Sequence, residues 1–505
     1  MKAIRSSTVD DVVRRSARRT PDRVALRFAD RVWTYSELDD AVTRAAGVLL
    51  DLGLAKGDRV AAYGTNSDAY VIAFLAVARA GLVHVPINYN LTGDELAYLL
   101  EQSGSRAVLV DPKLAGRLEA LPTLPEHVLT LRDADGSLLA EVSSGPLPEI
   151  DVDVAETDLV QLLYTSGTTS RPKGAMMTHR ALVHEYVSCI LAMGCHATDE
   201  PLHPMPLYHS AGMHVLMLPY LSVGASNHLM ETPDVPEILR RVEEDRIGAL
   251  FLAPTVWVPL SNHPDFATRD LSSLRKAFYG ASIMPQPVLE RLRKALPELG
   301  FYNLFGQSEI GPLATVLQPD EHLERPESCG RAVLFVELRV IDDAGNDVAP
   351  GELGEVVYRS PQLCDGYWEK PEETEEAFAG GWFHSGDLVR IDDEGFITVV
   401  DRIKDVINTG GVLVASREVE DALYTHPGVA EVAVIGTPDD RWIEAMTAFV
   451  VLRDDADVDE QELIGHVKGR LAGYKVPKRV VAVEELPRNA SGKLLKRVLR
   501  DHLPD

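Results

Sequence analysis

The run Tyr164-Thr165-Ser166-Gly167-Thr168-Thr169-Ser170-Arg171-Pro172-Lys173-Gly174 packs five Ser/Thr hydroxyls, two glycines and a lysine into eleven positions. Before it, Leu159–Tyr164 reads as a short buried strand. After it, residues 180–193 place Leu182, Tyr186, Cys189, Ile190 and Met193 at helical spacing, so the run reads as a loop between a strand and a helix. Such a loop can wrap backbone N–H groups and hydroxyls around phosphate oxygens while the lysine offsets their charge. It is not a Walker A loop, because the position of that motif's second glycine, counted from Gly167, is Pro172. Taken alone, the same composition also describes a solvated polar turn.

Working outward, Val24 to Asp111 alternates β-branched runs with amphipathic stretches. Residues 41–54 have helical spacing, whereas residues 59–63, 82–87 and 107–110 read as buried strands, which predicts an α/β domain. Residues 121–154, rich in Pro, Glu, Asp, Gly and Ser, read as a surface excursion. Residues 333–340, 354–358 and 396–400 look like strands between acidic, Gly-rich turns. Beyond Asp401 a compact α+β module of about 100 residues follows. At 505 residues the chain exceeds one core. The expected division is a domain over 1–401, a joint at 402–404 and a small domain over 405–505.

With 77 acidic and 50 basic residues the net charge is −27, which argues against broad nucleic-acid or anionic-membrane binding. It leaves room for a local basic pocket that takes a small anion. Cys189, Cys195, Cys329 and Cys364 form no CxxC pair and read as inert thiols of a reducing compartment. The most apolar stretch, Val71 to Ile87, is interrupted by Arg79, Gly81 and Pro86, so no membrane span and a cytoplasmic location are expected.

Further motifs follow in order. They are Tyr279-Gly280-Ala281-Ser282, Tyr302-Asn303-Leu304-Phe305-Gly306-Gln307-Ser308-Glu309, Trp382-Phe383-His384-Ser385-Gly386-Asp387, Asp401-Arg402-Ile403-Lys404-Asp405 and Pro487-Arg488-Asn489-Ala490-Ser491-Gly492-Lys493. Together with the Ser/Thr loop they resemble the signatures of the adenylate-forming superfamily, which includes acyl-CoA and aryl-CoA synthetases, luciferases and peptide-synthetase adenylation domains. Ser170 stands where that family usually has glycine. The resemblance implies a large N-terminal domain of layered α/β sheets with a small β-rich subdomain, and a small mobile C-terminal α+β domain.

The resemblance also implies roles. Thr165, Ser166, Gly167, Thr168, Thr169 and Lys173 would hold the phosphates of ATP. Gly280, Ala281, Ser282, Asn303, Phe305, Gly306 and Gln307 would surround adenine, with Phe305 stacking on the ring, and Ser308 would contact the α-phosphate. Glu309 would hold magnesium, a role that suits the preference of a hard cation for carboxylate. Asp387 and Arg402 would bind the ribose, Lys404 would be the hinge, and Gly410 and Gly411 would border a thiol tunnel. Lys493 would stabilise charge as the carboxylate attacks the α-phosphorus. With Glu309, Thr165 and His209 it completes the implied catalytic set. Lys496, Arg497 and Arg500 read as a solvated helix face.

The expected activity is ATP-dependent formation of an acyl-adenylate, with release of pyrophosphate and transfer of the acyl group to a thiol. Pro206-Leu207-Tyr208-His209-Ser210-Ala211-Gly212 matches the segment whose aromatic or histidine gates the acyl pocket, and it lacks the aspartate that holds an α-ammonium group. His203, His209 and His214 form no metal-site pattern. The expected lining, Ala281, Ile283, Gln307, Ile310, Leu313 and Val316, is mostly apolar and favours a fatty acid over an aryl acid. CoA is the expected acceptor. The departures Val412-Leu413 and Ser416 keep open an acyl-carrier-protein phosphopantetheine, and a monomer or homodimer is expected. A luciferase-like oxygenase shares the nucleotide motifs. A non-catalytic nucleotide binder is disfavoured because Lys493, Glu309 and Asp387 are all present.

Overall fold

The computed structural model describes residues 7–165, 171–280, 282, 284–409, 412–439, 443–453, 456, 458–488 and 494–501. Backbone contacts group the chain into two compact units. The first comprises residues 1–165, 172–338 and 358–383; the second takes 166–171, 339–357 and 384–505.

The first unit is built on two large sheets. A six-stranded sheet runs in the order His127–Thr130, Ser105–Val110, Arg59–Tyr63, Val83–Ile87, Leu159–Thr165, Lys173–Thr178, parallel except for the last pairing. A nine-stranded sheet has Pro201–His203, Ala249–Phe251, Lys276–Gly280 and Gly300–Phe305 as its parallel centre. The helix Asp68–Arg79 explains why residues 71–87 look so apolar: every position from Ala69 to Ala78 is buried. A helix apolar all round belongs inside a protein. Ser67 caps it, accepting from Tyr70 N–H at 3.1 Å. At its first turn the buried Asp68 takes two bonds from Arg31, at 2.7 and 2.8 Å, and one from Trp33 Nε1 at 2.8 Å. Truncating Phe74 in this helix to alanine would cost about 3–5 kcal/mol.

Residues 121–154 are not a mere surface excursion. His127–Thr130 extends the six-stranded sheet, and the helix Leu138–Val142 buries Leu138, Leu139 and Val142. The Pro/Gly/Asp density around them masks four strand residues and five helical ones, each too short to show a period.

In the second unit Val429–Asp439 and Ile443–Leu452 pair antiparallel, flanked by Ile407–Thr409, Val412–Val414 and the parallel Arg479–Ala482. Val419 and Leu423 of the helix Ser416–Tyr424 pack with Leu463 and Val467 of Glu460–Lys468 and with Val432, Val434, Met446 and Val450 of the sheet. No helix among the described residues is long and apolar enough to cross a membrane. All four cysteines are buried and none is in a disulfide.

Candidate active site

The Ser/Thr loop joins two strands rather than a strand and a helix. Lys173–Thr178 turns back along Leu159–Thr165, putting Lys173 opposite Thr165, and the helix His179–Ala192 starts only afterwards. Lys-Gly-Ala-Met-Met-Thr has few β-branched residues, so its strand character comes from pairing. Ser166, Gly167, Thr168 and Thr169 lie outside the described residues. The segment after Cys364 continues the ladder: Trp368 N–H donates to Gly174 O at 2.8 Å, and Tyr367 bridges to Ala175.

That pairing places Tyr367, which no sequence motif singles out, beside Glu309. Tyr367 Oη donates to Glu309 Oε1 at 3.0 Å, and Thr165 Oγ1 donates to the same oxygen at 3.2 Å. Lys173 Nζ lies 5.0 Å from the centre of the Tyr367 ring, within cation–π range. Glu309 is buried, and among the described residues nothing pairs with its Oε2. The described residues contain no group of three or more His, Cys, Asp or Glu side chains placed to hold a metal ion. One buried carboxylate with an open oxygen, fixed by two hydroxyls, suits magnesium, which keeps much of its shell for phosphates and water. Ser308, on the same 3-10 turn Ser308–Ile310, shares a hydrogen bond of 3.0 Å with Ser210 Oγ.

Gly280 and Phe305 end neighbouring parallel strands, with Gly280 opposite Leu304. Carboxyl ends of parallel strands are where such sheets bind ligands. A Cβ on Gly280 would come 2.3 Å from Leu304 O, and one on Gly306 would come 2.0 Å from Pro312 O, so close backbone approach fixes both glycines. Phe305 and Gln307 are half-buried, and Ser282 is exposed. Asn303 Nδ2 donates to Ser328 O at 3.0 Å. Ala281 and Ile283 lie outside the described residues. Ile310, Leu313 and Val316 are buried.

His209 is exposed, yet protein surrounds it closely enough that desolvation lowers its pKa. The Tyr208 ring lies tilted beside it, with centroids 4.7 Å apart, and meets Tyr89 edge-on at 5.2 Å. Asn66 fixes this segment: its Nδ2 donates to Met205 O and Met230 O, both at 3.0 Å, and its Oδ1 accepts from Leu207 N–H at 2.7 Å. The other two histidines of the region serve the core. His203 Nε2 bonds Asn227 Oδ1 at 2.9 Å, and His214 lies between Gln161, at 2.7 Å, and Tyr186, at 2.9 Å.

In the second unit Asp387 and Arg402 face each other across a two-stranded ladder and form an ion pair of 2.7 Å. Ser385 Oγ accepts from Asp387 N–H at 3.0 Å, and Arg402 also donates to Ser385 O at 3.2 Å. Lys404 is exposed on the 3-10 turn Ile403–Asp405. Gly410, Gly411 and Lys493 lie outside the described residues. The tail is not the solvated face that its charges suggest. Lys496 pairs with Glu420 at 2.8 Å and donates to Ser416 Oγ at 2.6 Å, while Arg500 pairs with Asp405 at 3.1 Å. Ser416 Oγ in turn donates to Asp401 Oδ2 at 2.8 Å. Arg497's side chain lies outside the described set.

Layered α/β sheets, a Ser/Thr-rich run between two paired strands and the buried Glu309 beside Thr165 are the architecture of an adenylate-forming ligase. Residues 13–368 match the AMP-binding enzyme family and residues 418–493 the AMP-binding enzyme C-terminal domain, and the chain belongs to this family. A feruloyl-CoA synthase of Amycolatopsis is 38% identical over 96% of this chain and 97% of its own length. A long-chain-fatty-acid–CoA ligase of Mycobacterium tuberculosis is 34% identical over 93% of this chain and 92% of its own. The ATP-bound MatB of Rhodopseudomonas palustris superposes with a TM-score of 0.88 at 29% identity, covering 98% of this chain and 99% of that one. The chain is accordingly an AMP-forming acid–CoA ligase, and ATP, magnesium and CoA are the cofactors of its class.

Proposed function

We propose that the chain condenses a monocarboxylic acid, a fatty acid in the first reading, with ATP to give an acyl-adenylate and pyrophosphate, and then passes the acyl group to the CoA thiol. The observation that carries this is Glu309, a buried carboxylate with one oxygen held by Thr165 and Tyr367 and the other open. Bound magnesium supplies positive charge against the phosphates there. Lys173, next to the loop, adds charge to the same anion, and Asp387 with Arg402 takes the ribose hydroxyls. Lys493 stabilises the charge that develops as a carboxylate oxygen attacks the α-phosphorus and pyrophosphate departs. The thiol sulfur then attacks the acyl carbonyl and AMP leaves. Rotation about Lys404, between residues 1–401 and 405–505, exchanges the two active arrangements, the kind of gate that divides catalytic residues between domains.

Residues 201–218 contain no lysine or arginine, which disfavours an acid with a second carboxylate in this segment's pocket. A second reading, an aryl acid, is favoured by the edge-on rings of Tyr89 and Tyr208 and by the likeness to a feruloyl-CoA synthase. The test is pyrophosphate release with a panel of fatty and aryl acids, with and without CoA. Release with no acid at all would sink the ligase reading, as would absence of release with every acid. Thioester formed only with an acyl carrier protein would replace CoA as the acceptor. Lys493→Ala should lose adenylation and still form thioester from supplied acyl-adenylate.

A further inference from the structure

The turn that carries Ser308 and Glu309 rests on a carboxyl group that none of the motifs contains. Glu185, on the helix His179–Ala192, is fully buried. Its Oε1 accepts from Leu313 N–H at 3.0 Å and from Cys189 Sγ at 3.3 Å, and its Oε2 accepts from Gln362 Nε2 at 2.5 Å. The Gln362 amide also donates to Ile310 O at 3.3 Å and Leu313 O at 3.1 Å, and its own oxygen accepts from Ser188 Oγ at 2.6 Å. Gly311 lies directly on the carboxyl: a Cβ there would stand 3.0 Å from Oε2. Glu185 and Gln362 therefore grip the turn from below, by the N–H and C=O of Leu313 and the C=O of Ile310. The segment just before, Ser308 and Glu309, points toward Ser210, Thr165 and Tyr367.

Among the described residues no lysine or arginine forms an ion pair with Glu185, and burial pushes its carboxyl up to about 8. A carboxyl group enclosed in a core costs desolvation that a leucine of similar size would avoid. What the acid supplies instead is a set of directed bonds to one turn, and these fix the turn's height relative to the hairpin that ends at Thr165.

We propose that Glu185, acting with Gln362, is a positioning residue that sets the metal-dependent part of ATP binding by holding the Glu309 turn in place. This rests on the reading of Glu309 as the magnesium carboxylate. The test is calorimetric titration of the full-length protein with ATP, once with Mg2+ and once with EDTA, which gives the affinity gained from the metal. The proteins are the wild type, Glu185→Leu, Gln362→Leu, Ser188→Ala and Glu309→Gln. Glu185→Leu and Gln362→Leu should cut the magnesium-dependent gain about tenfold and leave metal-free ATP affinity within twofold, the loss expected from about 1.4 kcal/mol. Ser188→Ala, a small change that frees the Gln362 amide to rotate, should cut it about threefold and decides the matter should the leucine variants not fold. A gain unchanged in Ser188→Ala and in every leucine variant that folds overturns the proposal and leaves Glu185 a packing residue. Equal loss of both affinities does the same. Glu309→Gln separates the two ideas: a gain lost there but kept in the Glu185 and Gln362 variants refutes only the positioning role. A gain kept in Glu309→Gln refutes the magnesium reading and this proposal with it.

Discussion

The hydroxyl of Tyr367 donates to Glu309 Oε1 at 3.0 Å, while the face of the same ring receives the Lys173 ammonium 5.0 Å from its centre. One side chain thus touches both charges expected to meet ATP phosphates, one by its edge and one by its face. Tyr367→Phe keeps the ring and removes only the donor. A hydrogen bond to a charged group contributes about 1.5–3 kcal/mol, so the acid-dependent rate of pyrophosphate release should fall about 10- to 100-fold with little change in thermal midpoint. Tyr367→Leu also removes the ring from Lys173 and should raise the KM for ATP further. Equal rates for the phenylalanine variant and the wild type would contradict the role given to the hydroxyl.

Asp387 and Arg402 are already paired in the second unit, so the carboxylate is oriented before any ligand arrives. If it accepts from ribose hydroxyls, the wild type should prefer ATP over 2′,3′-dideoxyATP about 10- to 100-fold in kcat/KM. Asp387→Asn should reduce that preference below about fivefold, because an amide can turn a donor toward the ribose and loses the charge that strengthens the bond. A preference unchanged in the variant would place the ribose elsewhere.

Much of the proposed nucleotide site shows in the sequence as motifs because its residues are contiguous: strand, polar loop and lysine lie within Leu159 to Lys173, and Ser308-Glu309 begins two residues past the strand Gly300–Phe305. What is not legible depends on partners distant in the chain. Tyr367 lies nearly 200 residues beyond the hairpin that positions it. Lys173–Thr178 is a strand only because Leu159–Thr165 and residues 365–368 pair with it. Glu185 did leave a signal, since it follows Leu182 by three residues and precedes Cys189 by four on the buried stripe of its helix. A charged residue on an apolar stripe asks for partners, but the sequence does not show that they belong to the turn after Glu309. The tail misleads for the same reason, because Lys496 looks solvated until Glu420, more than 70 residues earlier, is seen beside it.

Lys496 and Glu420 have side chains only 13% and 15% exposed, so their coupling should exceed that of an ordinary surface pair. A double-mutant cycle of Lys496→Met and Glu420→Gln, followed by chemical unfolding, should give a coupling of about 1–2 kcal/mol. Lys496→Met alone should destabilise more than the double variant, since it leaves Glu420 half-satisfied by Val434 N–H alone. Additive effects of the two substitutions would return the tail to the solvated role that its sequence suggests.

Stability should peak near neutral pH for a reason that lies inside the first unit. Burial lowers His84 and His214 to about 3 and His203 to about 4, against an ordinary 6.5. Gln161 joins the first two, its Nε2 at 2.9 Å from His84 Nδ1 and its Oε1 at 2.7 Å from His214 Nε2, so both rings are held neutral in one chain of amide and imidazole. Below pH 6.5 the unfolded chain takes up protons that these folded imidazoles refuse until far lower pH. The stability they contribute is therefore present above 6.5 and is lost as pH falls, by about 1.4 kcal/mol per pH unit for each group. Glu185 acts with the opposite sign. Its folded pKa is raised from 4.5 to about 8, so its contribution is full below 4.5 and is lost as pH rises toward 8. Between about pH 4.5 and 6 the three histidines outweigh the one acid; above 6.5 the acid is the group of these four that still titrates. Urea midpoints measured from pH 4.5 to 8.5 should rise to a maximum near 6.5 and then decline. Glu185→Leu should flatten the decline above 6.5 and steepen the rise between pH 4.5 and 6.5, because the acid opposes the histidines across that whole window, whereas His84→Gln should make the acid limb shallower. An alkaline decline that survives in Glu185→Leu would assign that limb to a different buried group.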